Sequence, residues 1–171
     1  MSEKYWLAAY VKMHHEKKTR DKLTAMGIEN FLPVQTEVHQ WSDRKKKVER
    51  VLIPMMIFVY VNRVEQTEVL TLSSVTRYVV LRNENQPARI PEKQMESFRF
   101  MLDFSDAAVN FSNETFNVGE KVKVIKGPLK GLMGELINVN GKSGIAVRIE
   151  QLGFATVEIA VGMIEKIVSR K

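Results

Sequence analysis

Along the first hundred residues, apolar positions switch between runs of strand length and the three- and four-residue spacing of helices. Tyr5–Val11 is an apolar run that predicts a strand. Over residues 15–26, Thr19, Leu23 and Met26 recur at helical spacing and Gly27 follows, which predicts a helix with a glycine stop. Its other face carries Lys17, Lys18, Arg20 and Lys22. Strands are expected over 28–34 and 37–41, then a charged tip over 42–50, then an apolar run over 51–61. Pro54 interrupts that run and cannot donate to a strand ladder, so one strand is expected before it and a buried one, 57–61, after it. Val69 and Leu72 mark a short helix within 64–72, and 78–81 returns as a strand. Pro91 stands where a helix begins, since its missing N–H is no loss in the first turn. Met95, Phe98 and Leu102 then give that helix an apolar stripe. The order β-α-β-β-β-α-β-α predicts a sheet with helices packed against it.

Residues 103–117 hold no sustained period and are rich in Ser, Asn and Asp, and the linker is placed at 105–117. After it the texture changes. Between residues 118 and 162, eight glycines separate short β-branched runs at 121–125, 134–139, 145–149 and 156–159. Short strands at this spacing predict a small barrel over 118–171. The fold class expected is therefore α+β, an amino-terminal α/β sandwich over 1–104 and a small carboxy-terminal β-barrel.

Composition narrows the function. Hydrophobic residues make up 44% of the 171 and charged residues 27%, which is the balance of a globular protein. The apolar run at 51–61 is about half the length of a membrane-spanning helix, and residues 1–10 have no basic start leading into an apolar stretch. A cytoplasmic protein without membrane contact is expected. There are no cysteines, which excludes disulfides, thiolate metal sites and a cysteine nucleophile. The net charge is +6 with a pI near 9.5, which suits a polyanionic partner and equally suits solubility alone. The charge is shared, with 17 Lys/Arg against 13 Asp/Glu over 1–104 and 9 against 7 over 105–171.

The stretch Val118-Gly-Glu-Lys-Val-Lys-Val-Ile-Lys-Gly-Pro-Leu-Lys-Gly-Leu-Met-Gly-Glu-Leu136 resembles a KOW module. It has the module's order of a Gly-Glu turn, an alternating strand, Gly-Pro-Leu-Lys-Gly, and a further glycine before the next strand. The first half makes the resemblance narrower. Trp6-Leu-Ala-Ala-Tyr-Val-Lys12 is similar to the opening strand of the NusG amino-terminal domain. Ile53-Pro-Met-Met-Ile-Phe-Val59 falls where that family has a Phe-Pro-Gly-Tyr-Val-Phe-Val-like segment. Ser74-Val-Thr-Arg-Tyr-Val-Val-Leu81 and Ala88-Arg-Ile-Pro91 match its later strand and helix entry. The whole chain thus resembles a NusG/RfaH-type elongation factor. The altered proline segment brings it closer to the UpxY-like antiterminators of capsular polysaccharide operons. The alternatives are a housekeeping NusG that assists Rho and a ribosome- or RNA-binding KOW protein.

What the resemblance implies is a monomeric factor that grips the clamp helices of RNA polymerase. Carried over position by position, its apolar pocket comprises Tyr10, Ile53, Pro54, Met56, Phe58 and Met95, with Met55 in place of the usual Gly or Asn. Plain core is the other reading of these residues, and for Phe58 an equal one. Arg44, Lys45, Lys46 and Lys47 between two strands have the charge to follow a phosphate backbone, although charge runs in hairpins are usually solvated turns. Lys12, His14, Lys18 and Arg20 stand where RfaH-like paralogues read non-template DNA; an ordinary exposed helix face is the competing account. Leu152, Gly153 and Phe154 correspond to the loop by which the family's KOW domain meets a ribosomal small-subunit protein or Rho. The His-Thr-Thr element that some members use has Glu65-Gln-Thr-Glu68 in its place.

No catalytic constellation emerges and no cofactor is expected. His14, His15 and His39 sit in no metal-ligand spacing with carboxylates. Gly-Lys-Ser at 141–143 has Leu136 where a phosphate-binding loop needs its first glycine, so it reads as a hairpin turn.

Overall fold

The computed structural model describes residues 3–40, 42–113, 119–139, 141–150 and 152–167. Trp41, the end of the expected linker at 114–117, and Val118 lie outside them. The chain forms two compact units, one of residues 1–34 and 48–92, the other of residues 35–47 and 93–171.

The first unit is built on β1 (Tyr5–Val11), β2 (Glu29–Phe31), β5 (Met56–Val61) and β6 (Val75–Tyr78), in the antiparallel order β2-β5-β1-β6. Strand alternation divides its side chains between two faces. Leu7, Ala9 and Val11 of β1 join Ile57, Val59 and Val61 of β5 in one core, closed by Leu23 of α1 (Glu16–Ala25) and Val69 of α2 (Arg63–Val69). On the opposite face Trp6, Ala8 and Tyr10 stand across from Tyr60, Phe58 and Met56. Gly27, at φ +77°, follows α1 where the stop was expected. Asn62 and Glu65 close a reciprocal cap at the start of α2, which satisfies two N–H groups there.

Two expectations shift. β6 falls at Val75–Tyr78 rather than 78–81, because Val75 pairs with Val11 and Tyr78 with Ala9. Beyond Val79 only an isolated bridge from Val80 to Pro87 continues the ladder. The charged tip is also shorter than expected. β3 (Val34–Gln40) and β4 (Lys45–Val51) form a two-stranded ribbon that takes Lys45, Lys46 and Lys47 into a strand.

The second unit holds α3 (Glu92–Phe104), all but its first residue, with Met95, Phe98, Met101 and Leu102 buried. Its sheet joins β7 (Val109–Ser112), β8 (Lys121–Val124), β9 (Met133–Val139), β10 (Lys142–Ile149), β11 (Gly153–Glu158) and β12 (Ile164–Lys166). The order is β12-β8-β9-β10-β11-β7, antiparallel throughout. β7 lies within the stretch read as a linker. Four residues are too few to show a period, yet Val109 is fully buried and pairs with Val157. Gln35 secures it: its side-chain amide donates to Ala107 O at 2.8 Å and accepts from Val109 N at 2.8 Å. Among the described residues, no helix is long and apolar enough to cross a membrane.

Candidate functional site

The residues between β4 and β5 form a short loop in which Leu52 and Ile53 point inward while Pro54 and Met55 are exposed. Met55 adopts φ +65°, a left-handed conformation that a side chain with a Cβ resists by about 1–2 kcal/mol. Its peptide is held from both sides. Its carbonyl accepts from Val11 N at 2.9 Å, and its N–H donates to a Glu16 carboxylate oxygen at 3.1 Å.

Glu16 is only 7% exposed, at the first position of α1. Burial acts to raise its pKa. The peptide N–H groups of Glu16 itself, Met55 and His14, with the nearby His14 side chain, outweigh that and hold the carboxyl below its ordinary range. The helix around it is anchored, because buried Thr19 shares a 2.7 Å hydrogen bond with buried Ser74 just before β6.

Register brings part of the expected pocket together. Tyr10 and Met56 are direct cross-strand partners at the end of β1 that meets this loop. Tyr10 is half-buried, Ile53 and Met56 are buried with a little surface left, and Phe58 has none. For Phe58 the core reading is the one observed. Met95 belongs to the second unit and its side chain is 1% exposed, so it presents no surface either. On the other side of Tyr10 stands Arg77, its cross-strand partner in β6, with the guanidinium 5.1 Å from the ring centroid. Glu16 and Arg77 were not visible in sequence as parts of this patch. A first-turn acid and a strand arginine are ordinary features, and only pairing and the loop's path reveal what they touch.

The basic residues divide differently from their expected grouping. Lys12, His14 and Lys18 are exposed, with His14 at φ +64°. Arg20 is engaged, reaching Asp21 at 3.3 Å and Glu49 at 3.4 Å. Arg44 to Lys47 are all exposed, but Lys45 and Lys47 lie on one side of β4 and Lys46 on the other. The feature is a ribbon charged on both faces rather than a basic loop.

The expected loop anchor at 152–154 needs correction. Gly153 and Phe154 open β11, and Phe154 packs with Ile137 and Ala146 at 9% exposure, with Arg148 over its ring at 5.2 Å. Leu152 alone precedes the strand, half-buried. Gly141, at φ +82°, lies between β9 and β10, and Lys142 and Ser143 open β10, paired with Val139 and Asn138. In α2, Glu65 pairs with Lys4 at 3.3 Å, the Gln66 side chain accepts from the Tyr5 hydroxyl and the Gln66 backbone carbonyl from the Tyr78 hydroxyl, contacts that hold the helix to the sheet. Among the described residues no group of three or more His, Asp or Glu could hold a metal ion.

The first unit thus presents an antiparallel sheet flanked by helices, with an outward loop at the end of its central pair. The family model described as transcription termination factor nusG matches residues 4–99, more than half of the chain, and the protein belongs to the NusG family of transcription factors, which are not enzymes. A solved structure titled "Domain interaction in Thermotoga maritima NusG" is similar with a TM-score of 0.54. It is 20% identical, over 97% of this chain and 98% of that one, a likeness that concerns the fold alone. A search of curated proteins found no match.

Proposed function

We propose that this chain binds the clamp helices of RNA polymerase through the patch at the β1–β5 end and suppresses pausing or termination there. Family membership supports a role in transcription, and the observation that carries the finer reading is the pairing of Tyr10 with Met56 beside the exposed Pro54 and Met55. A coiled-coil tip is convex and partly apolar. A half-exposed ring flanked by a proline and two methionines suits it, since methionine adapts to irregular contact. Departures from the family pattern at Met55, Met56 and Glu65 to Glu68 favour an operon-restricted antiterminator of the capsule type over the general factor. The basic ribbon at Arg44 to Lys47, with Lys12, His14 and Lys18, is proposed to meet non-template DNA or nascent RNA. The second unit's glycine-punctuated strands are proposed to be a KOW barrel that reaches a ribosomal protein or Rho.

The test is binding to a recombinant clamp-helix fragment of bacterial RNA polymerase. Tyr10→Ala and Pro54→Ala are expected to weaken it by roughly 30-fold together, about 2 kcal/mol for an interface anchor, with circular dichroism unchanged. Folded variants that bind like the unaltered protein would overturn the reading. Transcription past a Rho-dependent terminator, with and without the protein, then decides the sense of its action.

A further inference from the structure

We infer that Glu16 is a positioning residue for the clamp-binding loop: its buried carboxylate holds Met55 in a left-handed conformation and thereby sets Pro54 and Met56. This rests on the clamp reading above. Three observations converge on it. Met55 carries a Cβ at φ +65°, where an unsupported chain would relax toward negative φ. The Met55 peptide is bracketed, its carbonyl taken by Val11 N at 2.9 Å and its N–H by Glu16 at 3.1 Å. Glu16 itself is fixed, because it opens a helix whose Thr19 is hydrogen-bonded to Ser74 inside the protein.

The physical logic is substitution of one constraint for another. A glycine occupies positive φ without strain and needs no clamp. A methionine in its place presents an apolar side chain to a partner, 39% exposed here, but must be held. A buried carboxylate does this better than a neutral acceptor, because hydrogen bonds to an ionised group are roughly twice as strong. Removing it also leaves the Met55 N–H without its acceptor at a part-buried position. The first turn of α1 is thereby coupled to the loop 39 positions further along the chain.

The experiment is a double-mutant cycle on the full chain with Glu16→Ala, Glu16→Gln, Met55→Gly and the two combinations. Affinity for the clamp-helix fragment is measured alongside amide hydrogen exchange at Met55 in the absence of partner. Glu16→Ala is expected to lower affinity about tenfold and to speed exchange at Met55 while β1 and β5 stay protected. Glu16→Gln, which keeps an acceptor oxygen and guards against a folding failure, is expected to lose less. In the Met55→Gly background, Glu16→Ala is expected to change affinity less than about threefold, since glycine needs no clamp. An equal loss in both backgrounds overturns the inference, as does unaltered exchange at Met55 in Glu16→Ala. Failure of the unaltered protein to bind the fragment overturns the clamp reading itself, and the exchange measurement still reports on Glu16 separately.

Discussion

At the scale of single residues, the loop after β4 concentrates strain and its relief. Met55→Gly removes the steric penalty of φ +65° but frees the unfolded chain, so the net gain expected is small, on the order of 0.5 kcal/mol in urea unfolding. Met55→Val, stiffer at its Cβ, is expected to destabilise instead. Glu16 gives a pH signature. Its folded-state carboxyl lies below the ordinary value of 4.5, so its stabilising contribution is complete above that value and lost as pH falls through the folded one. The stability gap between the unaltered protein and Glu16→Gln is therefore expected to be constant near neutrality and to shrink below about pH 4.5. A gap that widens on acidification would contradict this. None of it was legible in sequence, where Glu16 is one more first-turn acid. The change at Met55 was visible, but not that it sits at positive φ.

Among elements, agreement follows burial. β1, α1 and β5 were readable because each carries a periodic apolar set facing one core, and period survives translation into three dimensions. β7 was hidden because four residues hold it, and its support comes from Gln35, far away in sequence. Gly153 shows a further limit. It was taken for a loop residue, yet at φ +154° in β11 a Cβ there would run into the backbone oxygen of Ser112. Gly153→Ala is thus expected to cost on the order of 3 kcal/mol and to loosen β7 from β11. The checks are thermal unfolding and proteolysis near residue 112. Gly162→Ala, with open space around its Cβ, is the control that should change little.

Taken whole, the protein joins a family-typical sheet to a charged ribbon, and electrostatics acts at that scale. Replacing Arg44, Lys45, Lys46 and Lys47 with glutamine is expected to lower the slope of log affinity against log salt for single-stranded RNA by about 3, if all four meet phosphates. A slope unchanged by the replacement would assign these residues to solubility alone. The change of texture where glycines begin to punctuate the chain was plain in the sequence. The grouping of α3 and the ribbon's outer residues with the carboxy-terminal strands was not, because contacts between positions far apart in sequence make it. The strand β7 carries a practical consequence for anyone cutting the chain. A fragment begun at Gly119 leaves the outer ladder of β11 without its neighbour, a bare edge open to another copy. Such a fragment is expected to self-associate in sedimentation, while one begun at Ser105 stays single. On that expectation the four residues of β7, at the outer edge of the second unit's own sheet, are a guard against polymerisation.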